Sequence, residues 1–176
     1  HYESNTPETV RLALLARKRL FNIAEQENID FDLEKRGILH FYHSEQDYNF
    51  ATRVNDMLCT GGLERHAVTL DEIRKIEPSL TGNYYGGFYC PGDATGDIHK
   101  FTTGLANVNK KNGVNYLFGM EVVDVEHTQN KVLIKYHQST ENMLQNAAVV
   151  EHLEADAVLV CGGVGSYQLA NQLGDR

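Results

Sequence analysis

A chain of 176 residues, 41% hydrophobic and 23% charged, has the size of one domain or two small lobes and the composition of a soluble globular protein. At this mass roughly 70% of the extended chain's surface is buried on folding, so no disulfide or metal staple is required. The formal charge of −8 argues against nucleic acid or an anionic membrane as the main partner, because either would select a basic face.

No apolar run approaches the roughly 20 residues that cross a bilayer, and the opening His1-Tyr2-Glu3-Ser4-Asn5 lacks the basic and apolar regions of a signal peptide. Cys59, Cys90 and Cys161 are far apart and odd in number, which speaks against a disulfide framework or a paired-cysteine metal site and for a reducing, cytoplasmic compartment. The absence of an initial methionine suggests a piece of a longer protein.

Taken in chain order, a helix is expected from about Pro7 to Asn28, capped by Thr6, with Leu12, Leu15, Leu20 and Ile23 as its apolar stripe. Gly37 to His43 is rich in strand formers, and Ser44 with Asp47 opens a second helix that Gly61-Gly62 ends. Ala67 to Leu70 reads as a short strand and Asp71 to Ile76 as a short helix that must stop near Pro78. Tyr84 to Cys90 is then a strand leading into the turn-rich loop Pro91 to Asp97, and Ile98 to Asn112 is a helix with Gly113 as its left-handed cap.

From Val114 the apolar period becomes two, through Val114, Tyr116 and Phe118, then Val123 and Val125, then Val132, Ile134 and Tyr136, and finally Val149 and His152. This predicts an antiparallel meander with a hairpin turn at Thr128 to Lys131 and a longer polar connection over Ser139 to Asn146. Ala157 to Cys161 reads as a strand buried on both faces of a parallel sheet, followed by Gly162-Gly163 and a short helix. The expected fold class is α+β, with a lobe boundary near Gly113.

Two features carry chemistry. A glycine turn between a buried strand and a helix, Gly162-Gly163-Val164-Gly165-Ser166, lets a ligand approach the backbone, yet the full dinucleotide fingerprint fails because Gln168 stands where the third glycine is needed. Taken alone, these residues are better read as a tight turn for close packing. The segment Tyr84 to Phe101 gathers Tyr84, Tyr85, Tyr89, Asp93, Asp97 and His99 around several glycines, as ligand-binding loops do. Asp97 stands at the N-cap of the following helix, a structural role that needs no ligand. His40 and His43 point to opposite faces of a strand, and no spacing among the eight histidines suggests a metal.

Gly86 to Asp97, continuing through Phe101-Thr102 and Leu105 to Gly113-Val114, resembles the middle of the flavin-dependent D-amino acid dehydrogenase small subunit. Ile76-Glu77-Pro78-Ser79-Leu80 is similar to the Glu-Pro-x-Leu that precedes this region in that family, and Ala155 to Gly163 to its late Ala-Asp-x-Val-Val strand and glycine turn. In the wider group of D-amino acid oxidase, glycine oxidase and sarcosine oxidase relatives, FAD lies on a Rossmann-like domain and a second domain covers the reactive ring. The resemblance therefore implies a covering, substrate-binding domain over residues 1–113, and part of the FAD-binding domain over 114–176, with an antiparallel meander and one Rossmann-like strand.

The same resemblance implies oxidation of D-amino acids to 2-oxo acids and ammonia, with an electron acceptor whose identity the chain does not reveal. It places Tyr84, Tyr89, Asp93 and His99 near the substrate, and Val122, Cys161, Gly162 and Gly163 beside the FAD. The glycine-rich opening strand and the late arginine region of that family are absent from these residues. A segment of this kind alone is expected to hold FAD weakly, to be inactive, and to self-associate through the strand Ala157 to Cys161. In the whole enzyme, a place in the cytoplasm or on the periphery of the inner membrane is implied. Two other classes stay open: an amine oxidase acting on glycine or sarcosine, and a stand-alone nucleotide-binding module.

Overall fold

The computed structural model describes residues 2–139 and 149–174. The polar connection expected over Ser139 to Asn146 lies, from residue 140 on, outside the described residues. The chain divides into two compact units, His1–Val114 and Asn115–Arg176.

The first unit opens with α1 (Tyr2–Gln26), which begins earlier than the capping signal at Thr6 suggested and holds Pro7 inside it. A proline this close to a helix start forfeits a single backbone bond, so the helix runs through it. The inward face is Val10, Leu14, Arg17, Phe21 and Ala24, spaced by three and four residues. Leu20 and Ile23 of the expected stripe pack against the core. Leu12 and Leu15 instead lie outside, 67% and 52% exposed. Two residues beyond Val10 the helix has turned through about 200°, which carries Leu12 to the far side. Asn28 closes the helix in the left-handed region (φ 53), and the Ile29 N–H donates to the Ala24 carbonyl at 2.8 Å.

Three strands form the first sheet in the order β1 (Ile38–Tyr42), β3 (Gly86–Cys90), β2 (His66–Val68), both pairings antiparallel. Between them run α2 (Glu45–Thr60), whose Ser44 cap accepts from the Asp47 N–H at 3.1 Å, and α3 (Leu70–Ile76). α3 carries a capping box in which Thr69 and Glu72 bond reciprocally. The central strand starts at Gly86, two residues later than expected, with the Tyr85 N–H donating to the Tyr42 carbonyl at 2.7 Å. After the sheet, α4 (Ile98–Lys111) packs on the end of α1 through Ala24, Ile29, Phe31 and Phe101, the two phenylalanine rings meeting edge to face at 5.3 Å.

The second unit is an antiparallel meander, β4 (Met120–His127), β5 (Val132–Gln138), β6 (Glu151–Ala155), with α5 (Ser166–Gln172) against β4. The hairpin turn falls at Thr128 to Lys131, closed by the Thr128 N–H donating to the Lys131 carbonyl at 2.8 Å. The pairing slips between Val122 and Asp124, and Gln172 of α5 fills the irregularity, bonding the Val125 N–H and the Val123 carbonyl, each at 3.3 Å.

Three expectations need correction here. Val114 to Phe118 is not a strand: the ladder begins at Met120, after Gly119 has turned the chain at φ 71. Val149 precedes the last strand and is exposed. Ala157 to Cys161, expected as a buried strand, forms no ladder with any described residue and is open to solvent, Leu159 at 86%. A strand exists only by pairing, and the apolar run finds no ladder partner among the described residues.

Candidate functional site

The loop from Pro91 to Asp97 is fastened along its length by backbone bonds to the segment after α1. Glu34 and Thr95 exchange N–H···O bonds of 2.9 and 3.0 Å, the Gly37 N–H reaches the Asp93 carbonyl at 3.1 Å, and the Asp97 N–H reaches the Phe31 carbonyl at 2.7 Å. Gly96 sits under the Phe31 ring, where a Cβ would come within 2.7 Å of a ring carbon. Asp97 caps α4, accepting from the Lys100 N–H at 3.0 Å, and that bond holds its carboxyl below the ordinary carboxylate range. Asp93 is half-buried and pairs with Arg17 of α1 at 2.5 Å.

Because residues facing each other across an antiparallel pair share a side, the register sorts the sheet into two faces. Phe88 lies opposite His40 and Ala67, and Cys90 opposite Ile38; these side chains look towards α2. A cavity of about 300 Å³ opens on this side, with His40, Tyr42, Arg65, Cys90 and Asp93 among its polar walls and Val54 and Leu58 of α2 above. Arg65 is only 9% exposed. Its guanidinium lies 4.5 Å from the Phe88 ring centre and donates to the Tyr42 hydroxyl at 3.3 Å and the Asn55 amide oxygen at 3.5 Å. Burial and the neighbouring Arg65 push the His40 imidazole below its usual value, against an opposing pull from Asp93. Burial, and then Asp93, push the Cys90 thiol up.

On the other face Tyr89 lies opposite Leu39 and His66, its hydroxyl donating to the Arg36 carbonyl at 2.6 Å and its ring meeting His66 at 5.7 Å. Tyr84, ahead of β3, packs on Phe41 and His43 with ring centres 4.7 and 5.2 Å apart. His99 is exposed in the first turn of α4. The four substrate-side candidates are thus not gathered: Asp93 joins His40, Tyr42, Arg65 and Cys90, while Tyr89 lines the cavity across the sheet. Arg65 escaped the sequence reading. Its sole signal is its place two residues before Ala67, on the same side of the strand.

In the second unit, Val122 sits at the irregularity of β4 opposite Tyr136, 40% exposed. Cys161, Gly162 and Gly163 are all exposed, and Gly163 has φ 56 with nothing within 4 Å of the position a Cβ would take. The glycine backbone ahead of α5 is open, and Gln172 of α5 fastens that helix to Val123 and Val125 of β4.

The whole chain, residues 1–176, matches the family described as FAD dependent oxidoreductase (DAO). The chain belongs to that family. It is 42% identical over 175 residues to D-amino acid dehydrogenase 3 of Mesorhizobium japonicum, covering 99% of this chain and 40% of that protein. To the D-amino acid dehydrogenase of Dechloromonas aromatica it is 32% identical over 166 residues, covering 93% of this chain and 38% of that one. The chain therefore spans about two fifths of the length of these relatives. Glycine oxidase from Geobacillus kaustophilus shares the fold over 94% of this chain and 41% of its own, with a TM-score of 0.71 at 19% identity.

Proposed function

We propose that this chain is part of an FAD-dependent D-amino acid dehydrogenase, with 1–113 in the domain that covers the flavin and 114–176 in the FAD-binding domain. The observation that carries the reading is the 42% identity to D-amino acid dehydrogenase 3 of Mesorhizobium japonicum, sustained over 99% of this chain. The intact protein would take a D-amino acid to the imino acid, which water converts to the 2-oxo acid and ammonia. FAD, when bound, supplies the hydride acceptor and passes the electrons to a further acceptor. In this account Val122, Cys161, Gly162 and Gly163 hold the cofactor: the glycines admit it to the backbone, and Val122 offers apolar surface.

A small amino acid cannot touch both faces of one sheet, since packed layers stand about 10 Å apart. The reading therefore places Tyr84 and Tyr89 on the substrate side and gives Asp93 a positioning role, holding the loop to α1 through Arg17. His99, at the exposed start of α4, is assigned to the rim. The protein's task is to orient the α-carbon and exclude water. No described helix is long and apolar enough to cross a membrane. A place in the cytoplasm or on the periphery of the inner membrane is part of the proposal.

The test is to purify the intact protein, measure its FAD content, and follow dye reduction with D-alanine. Bound FAD and turnover are expected; FAD-free protein with no dye reduction would refute the reading. Asp93→Asn is expected to lower kcat with little change in KM, as a positioning residue should, whereas Tyr89→Phe is expected to raise KM.

A further inference from the structure

The cavity between α2 and the first sheet has features that packing does not explain. Arg65 is nine-tenths buried, yet no described carboxylate oxygen lies within 4.0 Å of it. Its hydrogen bonds to the Tyr42 hydroxyl and the Asn55 amide oxygen, at 3.3 and 3.5 Å, are long and go to neutral oxygens, and its further neighbour is the Cys90 thiol, although a guanidinium has five donors in a planar fork. The acid that lines the same cavity, Asp93, is paired with Arg17. The Cys90 thiol and the His40 imidazole are both biased to their neutral forms. Of the two charged groups in the walls, Asp93 is held by Arg17 from outside the cavity, and Arg65 has no carboxylate partner among the described residues. Beside it lie about 300 Å³ of space roofed by Phe50, Val54 and Leu58.

We propose that this cavity binds a small aliphatic monocarboxylate, with its carboxylate on Arg65 and its tail against Phe50, Val54 and Leu58. The planar guanidinium matches a carboxylate with two parallel bonds. A buried cation without an ion pair gains most from such a partner, because low dielectric strengthens the attraction. Phe88 beneath the guanidinium and Tyr42 beside it fix its orientation before the ligand arrives. The inference rests on the cavity itself and not on the flavin reaction.

The test uses the intact protein and hexanoate as the probe, with hexanamide as its uncharged counterpart, by isothermal titration at neutral pH. Hexanoate is expected to bind about tenfold or more tightly than hexanamide, the difference a charged hydrogen-bonded pair makes. Arg65→Gln is expected to remove that preference. Should it fail to fold, Val54→Phe fills the tail space while leaving the guanidinium intact, and is expected to weaken hexanoate by about tenfold, since the tail loses its apolar contacts. Equal binding of the two probes, no binding of either, or unchanged hexanoate affinity in a folded variant would each overturn the proposal. Flavin reduction by D-alanine is measured separately, so that failure here leaves the oxidoreductase reading standing and its failure leaves this one.

Discussion

Gly87 shows how tightly the centre of the first sheet is drawn. A Cβ there would stand 2.6 Å from the His40 carbonyl oxygen, a backbone atom that cannot step aside, and 3.2 Å from Ile73 and Val68. Gly87→Ala is therefore expected to cost about 1–3 kcal/mol in urea unfolding, as overpacking does; an unchanged midpoint would mean that the sheet gives way. At this scale the residues that act on close neighbours were legible. Ser44, Asp97 and Gly113 were read as caps because a cap is decided within a few residues, and all three occupy helix ends. Arg65 was not legible. Its burial depends on Phe88 and Tyr42, each 23 residues away in sequence, and no local pattern announces that an arginine will lie on a ring inside the sheet.

Elements were readable in proportion to how much of their stability is local. The helix α2 is bounded by signals inside its own sequence, Ser44 at one end and Gly61-Gly62 at the other, and removing the first should be felt. Ser44→Ala is expected to destabilise the protein by about 1 kcal/mol, read from the urea midpoint. In α3 the Thr69 N–H and hydroxyl both bond the Glu72 carboxylate, at 2.7 and 2.8 Å, and hold it below its ordinary pKa. A depressed carboxylate contributes stability above its unfolded pKa and loses it as pH falls through its folded one. Urea midpoints followed from neutral into acid should therefore fall less steeply in Glu72→Gln than in the native protein; parallel curves would remove the box from the account.

Strands are another matter. Val114 to Phe118 and Ala157 to Cys161 have the composition of strands and form no ladder with any described residue, so composition misled where pairing decides. The meander from Met120 to Ala155 was legible because each of its strands finds its partner in sequence order and the turn at Thr128 to Lys131 fixes the register of the first pair.

For the whole molecule, the sequence reached the α+β class and the flavoprotein family because the segment Gly86 to Asp97 is distinctive, and the match over residues 1–176 extends that family to the full chain. It did not reach the arrangement of the site. Tyr89 and Asp93 are four residues apart, yet they line cavities on opposite sides of the sheet, since a strand alternates its side chains and the loop after it turns back towards α1. The account also expects Asp93→Ala to slow D-amino acid oxidation by more than its loss of stability, through release of the loop from Arg17; kinetics equal to the native protein's would take that contact out of the mechanism.

The central claim is that the intact protein uses FAD to oxidise D-amino acids, and the most direct measurement is anaerobic bleaching of its bound flavin by single substrates. The account predicts that D-alanine bleaches the oxidised flavin band and that L-alanine, glycine and sarcosine at the same concentration do not. Bleaching by glycine or sarcosine with none by D-alanine, or a flavin that no amino acid reduces, would contradict it.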